Sequence, residues 1–282
     1  MLIGDEMKMT QPARTTAWMR FWRTGGWWRA LLLVIVYYGL YQAGSLLFLP
    51  FLNEDESPAL TIFIGTALPI ALGVVILVGF GLSTGLLREV LGQQPVRGSG
   101  WMWVAVAAVL LFNILRFASI DYDATGLETL LAWLVTGLFI GIAEELLTRG
   151  YVINLMRRGG HRELTVAAVS AALFSALHTG NLLAGQSLLA TLLQLIYTFA
   201  FGICMYLALR VTGTILWPIL LHATTDPSIF LMTEHPTEGA LSIFAGLGNI
   251  AVIAVGLILL IFIRGQAQST KIVINGSPHS DK

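Results

Sequence analysis

Leu127–Met156 reads LETLLAWLVTGLFIGIAEELLTRGYVINLM. A helix needs about 20 apolar residues to cross a hydrocarbon core of ~30 Å, and this stretch exceeds that length. It nonetheless carries Glu144, Glu145 and Arg149 in its second half. Ionisable groups inside a membrane are costly, so each one needs an explanation. The fold follows from the apolar length. The function follows from the three charges.

Seven further apolar stretches accompany it, at roughly Ala30–Leu52, Ala59–Leu82, Trp101–Ile120, Leu164–Gly180, Ser187–Leu209, Thr214–Met232 and Ala240–Ile263. Of the 282 residues, 56% are hydrophobic and 11% charged, against roughly 25% charged in a soluble domain. Helices satisfy their own backbone polar groups in lipid. A membrane barrel would show alternating segments of about ten residues, and none is evident. The expected fold class is therefore all-α, a polytopic transmembrane bundle of about eight spans. Residues 1–29 form a cytoplasmic or interfacial segment, 30–264 the membrane domain, and 265–282 a polar tail. Net charge is zero, which argues against nucleic acid as a partner. Cys204 is the single cysteine, so no internal disulfide is available. The first 29 residues lack the apolar core and small-residue site of a cleavable signal peptide.

Charge divides the connections into two sets. Those near 53–58, 121–126, 181–186 and 233–239 contain no Lys or Arg, and hold Glu54, Asp55, Glu56, Asp121, Asp123, Glu234 and Glu238. The other side holds Arg14, Arg20, Arg23, Arg29, Arg88, Arg97, Arg157, Arg158, Arg162, Arg210, Arg264 and Lys271. The positive-inside rule assigns this second side, with both termini, to the cytoplasm of a bacterial or archaeal cell membrane. The sequon at Asn275 would then be silent. Trp18–Trp28 (WMRFWRTGGWW) interleaves Trp with Arg, as an interfacial anchor does.

The polar residues within spans concentrate in few places: Glu144, Glu145 and Arg149 in the fourth span, His178 in the fifth, His222 and Asp226 in the seventh. Arg116 in the third is an outlier without an assigned partner. Glu144 precedes Arg157 by about 20 Å of helix, and His178 follows Arg162 by about 24 Å. His222 and Asp226 follow Arg210 by about 18 and 24 Å. Four groups on three helices thus share one level. Glu145 and Arg149 are four apart and can pair, which leaves Glu144, about 100° away, free for chemistry. His222 and Asp226 also share a face, so the carboxylate can orient the imidazole. Pro218 and Pro227 bend the seventh span, as fits a helix lining a cavity. Gly137 with Gly141, and Ala168 with Ala172 and Ala176, make small faces for close helix packing.

A carboxylate in apolar surroundings is a competent general base, and a histidine within reach can share the water it activates. A second histidine can stabilise the oxyanion formed at a peptide carbonyl. These parts suffice for amide hydrolysis without a covalent intermediate. The His-Glu-x-x-His zinc signature is absent. Two histidines and two carboxylates could still supply a divalent-metal shell such as zinc.

Glu144-Glu145-Leu-Leu-Thr-Arg149, Phe174-Ser-Ala-Leu-His178 and His222-Ala-Thr-Thr-Asp226 resemble, in order, the three motifs of the CAAX protease and bacteriocin-processing (Abi) family. The resemblance runs from about Leu127 to Pro227. It implies eight transmembrane helices with a cavity open toward the cytosol, and a membrane-associated or lipidated peptide or protein as substrate. It implies that Glu144 and His178 activate water, that His222 and residue 226 stabilise the oxyanion, and that Glu145 and Arg149 support them. Prenyl-processing members carry Asn at the 226 position. An amide can donate a hydrogen bond to an oxyanion, whereas an ionised aspartate cannot. Two other classes use the same residues: a non-proteolytic scaffold or immunity protein on this fold, and an ion-coupled transporter. Transport would favour inverted repeats with broken helices in both halves, and here the polar groups sit in the second half and the third span.

Overall fold

A computed structural model describes residues 15–53 and 55–267. Arg14, Glu54, Lys271, the sequon at Asn275 and most of the polar tail lie outside the described residues. Among the described residues the chain is helical and has no strand. Two isolated bridges, Ile120 with Pro236 and Arg162 with Gln266, tie loops together.

A short helix, α1 (Ala17–Arg23), precedes eight rods. Six are long and apolar enough to cross a membrane: α2 (Trp27–Phe51), α3 (Pro58–Thr84), α4 (Gly100–Phe117), α5 (Leu127–Arg158), α7 (Leu188–Thr212) and α9 (Ala240–Leu260). The other two are α6 (Glu163–Leu177), which runs on as a 3-10 turn over His178–Leu182, and α8 (Leu216–Glu234). As an α-helix α6 is short, and α8 carries His222, Asp226 and two prolines. Both bring polar side chains inward. The eight rods correspond to the eight spans expected from the sequence.

Burial sorts the rods into an inner and an outer layer. The most apolar window of α5 is 56% buried, against 17% in α2 and 22% in α3 and α9. The outer rods present Ile35, Val36, Val75, Leu82, Ile250 and Ile258 outward. A continuous apolar surface of this extent is unsuited to water and suited to lipid. The molecule is an integral membrane protein.

In lipid, packing and interhelical hydrogen bonds hold helices together, each bond contributing about 0.6 kcal/mol on average. Gly137 and Gly141 of α5 let the backbone of α8 approach. A side chain at Gly137 would strike Pro227, and one at Gly141 would meet the Ile219 carbonyl at 2.6 Å. The second small face is not where the alanine spacing put it. Ala172 and Ala176 are exposed, and α6 instead packs through Ala167 and Ala171, the latter against Gly202 of α7. Asn113 of α4 donates to the Leu221 carbonyl, Thr224 and Thr225 of α8. Tyr151 of α5 donates to the Leu77 carbonyl of α3. Arg116 is buried and donates to Asn249 of α9 at 2.9 Å, which gives the outlier its partner.

The Trp-Arg stretch docks on the bundle. Thr16 caps α1, Trp22 is buried edge-on against Phe80, and Trp18 donates to Ser83. Gly25 sits at φ +70, a left-handed conformation that glycine adopts freely, against Leu155 and Arg158.

Hydrogen bonds tie connections together within each of the two sets. At the arginine-rich end, Glu163 accepts from Arg157 at 2.8 and 2.7 Å and from Arg210 at 3.3 Å. Arg157 also reaches Gln94, Arg210 reaches the Arg97 carbonyl, and the Glu163 amide bonds Gly265. At the arginine-poor end, the Asp121 amide bonds His235 and the Thr237 amide bonds Ser119.

Candidate active site

Directly after Glu145, α5 continues as a π-helical stretch over Leu146–Val152. Such wide turns inside helices are frequent at functional sites. Here the stretch carries Arg149, whose guanidinium lies 3.1 Å from Glu145 Oε1 with both side chains fully buried. Arg149 also donates to Thr148 and sits 4.5 Å from the centroid of Phe174. The expected Glu145–Arg149 pair is thus formed.

The same Glu145 oxygen lies 2.8 Å from His222 Nδ1. A carboxylate only accepts, so His222 donates from Nδ1. Glu145 is thus the carboxylate hydrogen-bonded to the ring, with Asp226 at longer range. Nε2 of the ring faces Glu144 Oε2 at 3.5 Å and Asp226 Oδ2 at 3.7 Å. Those separations exceed hydrogen-bond length but keep the charges coupled. Phe174 and Phe201 meet the His222 ring edge-on, with centroids 5.6 and 4.9 Å away. The imidazole is therefore fixed by one hydrogen bond and an aromatic collar.

His178 closes α6. Its Nδ1 lies 3.2 Å from the Phe174 carbonyl, to which it donates, and its ring stands edge-on to Phe174. That leaves Nε2 as an acceptor. Glu144 and His178 line one cavity of about 240 Å³. Its remaining wall includes Tyr37, Tyr38, Tyr41 and Gln42 of α2, and Asn181 beyond α6. The rings of Tyr37 and Tyr41 stack with centroids 6.3 Å apart.

Adjacent glutamates therefore have different surroundings. Glu145 is fully buried between a cation and an imidazole, while the Glu144 side chain is 24% exposed. Glu144 Oε2, Glu145 Oε2, and Nε and Nη2 of Arg149 have no hydrogen-bond partner in the protein. Buried polar atoms are nearly always paired, so such a group of orphans calls for an explanation.

Of the six residues singled out from the sequence, Glu144, Glu145, Arg149, His222 and Asp226 form one connected cluster. His178 joins it through Phe174 and the cavity. The α2 wall was not anticipated. Its one legible signal is Tyr37 and Tyr41, four apart on one helix face. Among the described residues, no three His, Cys, Asp or Glu side chains are arranged to hold a metal ion. His178 and His222 each direct Nδ1 to an oxygen of the protein.

An integral helical-bundle membrane protein with an acid–imidazole cluster beside a membrane-level cavity is the class that fold and site define. Residues 126–227 match a family model described as "Rce1-like: Type II CAAX prenyl endopeptidase Rce1-like". This region, a little over a third of the chain, contains all six residues named above. No curated protein matches the chain.

Proposed function

We propose that this chain is an intramembrane endopeptidase that hydrolyses a peptide bond of a membrane-associated substrate. The observation that carries the reading is that Glu144 and His178, from different helices, share one cavity while His222 Nε2 lies 3.5 Å from Glu144.

Glu144 accepts a proton from water as the water oxygen attacks the peptide carbonyl carbon. His178 Nε2 accepts the second water hydrogen bond and aims the attack. The carbonyl π electrons move to oxygen, and protonated His222 donates from Nε2 to that oxyanion, a contribution worth about 3 kcal/mol for one well-placed donor. Glu145, backed by Arg149, stabilises the imidazolium from the other ring nitrogen. Glu144 then returns its proton to the leaving nitrogen as the C–N bond breaks. The products are a carboxylic acid and an amine. Asp226, as a carboxylate, acts through His222 and not on the substrate oxygen.

The test compares the parent chain with Glu144→Gln and His178→Ala in native membranes. Both variants should insert normally and lose cleavage, and the Glu144→Gln form should accumulate an uncut membrane polypeptide. Preserved biological function in both variants would favour a scaffold or immunity role. Ion flux in sealed vesicles that both variants abolish would favour a transporter.

A further inference from the structure

Asp226 is approached from two helices by polar atoms that the reaction above leaves unused. The first helix is α7. It is joined to α8 by the short turn Gly213–Ile215, so the two run in opposite directions. Phe201 of α7 meets the His222 ring of α8 edge-on. One turn beyond that contact, Tyr197 of α7 stands at the level of Asp226 of α8. The Tyr197 ring stacks on Phe201, with centroids 5.9 Å apart. Its hydroxyl is buried and has no hydrogen-bond partner in the protein. Arg116 and Asp226 are the charged side chains that act on it.

The second helix is α4. Asn113 bonds Thr224 and Thr225, the two residues before Asp226, and its own Oδ1 is buried and unpaired. Arg116 lies one turn beyond Asn113, on the same face of α4. The arginine is buried, and among the described residues it donates only from Nη2, to Asn249. Gly248 makes room for that nitrogen, because a Cβ there would lie 2.4 Å from it. Asn249 is neutral, so this bond leaves the positive charge unbalanced. Tyr197 and Asp226 are the groups whose charge acts on Arg116.

The acid–imidazole cluster has the complementary imbalance. Glu144, Glu145 and Asp226 bring three carboxylates, against the two cations Arg149 and protonated His222. A neutral residue at 226 would leave two against two. Charges taken out of water persist when they are compensated. We infer that Arg116 is the counter-charge of Asp226, and that the Tyr197 hydroxyl carries the link between them. The hydroxyl accepts from the guanidinium and donates toward the carboxylate, with a bridging water where the span exceeds one hydrogen bond. Both are positioning residues. They hold Asp226 as a carboxylate facing His222 Nε2, which favours the imidazolium that donates to the oxyanion. That last consequence rests on the peptidase reading, whereas the charge pairing does not. Arg116 also lies outside the matched residues 126–227, so the device joins that region to the third span.

Thermal unfolding of the full-length protein in detergent tests the pairing without a substrate. Arg116→Gln removes the charge and keeps a donor for Asn249. It should lower the melting temperature by about 2 °C or more in the parent, and by clearly less in an Asp226→Asn background, because residues in one network are not additive. Tyr197→Phe keeps the ring on Phe201 and removes only the hydroxyl. Its effect should depend on residue 226 in the same way. Arg116→Lys retains the charge and should melt above Arg116→Gln. Equal shifts in the two backgrounds, or Arg116→Lys melting as low as Arg116→Gln, would overturn the inference. Unfolding is read without turnover, so this result can fail while the peptidase reading stands, and the reverse.

Discussion

Two buried carboxylates of this protein sit in opposite circumstances. At the arginine-rich end, Glu163 accepts four hydrogen bonds, two from Arg157 and one each from Tyr206 and Arg210. At mid-depth, Glu144 Oε2 has no partner, although His222 Nε2 is 3.5 Å away. A satisfied network rigidifies a fold, and an incompletely satisfied one is costly unless something else meets its free groups. The first cluster staples three connections together. The second turns Glu144 and His178 toward a cavity where a water and a peptide carbonyl can meet them.

The contrast can be broken at either carboxylate. Glu144→Gln keeps the shape and removes the base. Cleavage should fall by about 10²–10⁴-fold, the usual contribution of a positioned general base, and thermal unfolding in detergent should not occur earlier than in the parent. Glu163→Ala should do the reverse. Stripping one partner from a buried ion pair costs about 3–5 kcal/mol, so unfolding should shift to lower temperature while turnover per folded molecule is preserved. If Glu163→Ala abolished turnover in fully folded protein, the two clusters would not be separate devices.

Smaller changes sharpen the same division. Gly137→Leu forces a side chain between α5 and α8, where Pro227 and the Ala223 carbonyl already sit. Overpacking of this kind costs about 1–3 kcal/mol, and it should weaken stability and cleavage together, because α8 carries His222. Asp226→Asn introduces a donor in place of a carboxylate. A single hydrogen bond is worth about 0.5–1.5 kcal/mol, so kcat should stay within about tenfold of the parent, in either direction. A much larger loss would assign Asp226 an essential charge. Arg158→Ala removes a partly exposed pair with Glu89 and should change unfolding free energy by about 0.2–1 kcal/mol.

Much of this was legible in the residues. Apolar length gave the eight rods, and i,i+4 spacing gave the Glu145–Arg149 pair and the separate direction of Glu144. Matched depth brought Glu144, His178 and His222 together. What stayed hidden depends on contacts far apart in the chain. The hydrogen bond from His222 to Glu145 joins positions 77 apart, so spacing within α8 pointed to Asp226 as the orienting acid. Arg116 found Asn249 across 133 positions. The alanines of α6 show the limit of reading small faces. Two alanine registers run along one helix, and only tertiary packing chose Ala167 and Ala171. The π-helical stretch after Glu145 left no clear compositional mark, since Leu146–Val152 reads as ordinary helix.

The different fates of the two neighbouring glutamates can be measured without knowing the substrate. In a Cys204→Ala background, Glu144→Cys and Glu145→Cys are each exposed in membranes to a small, water-soluble methanethiosulfonate reagent. The expected result is rapid modification at position 144, where the side chain reaches the cavity, and none at position 145 in folded protein. An inert cysteine at 144, or equal reaction at both positions, would contradict a water-reachable catalytic carboxylate at Glu144.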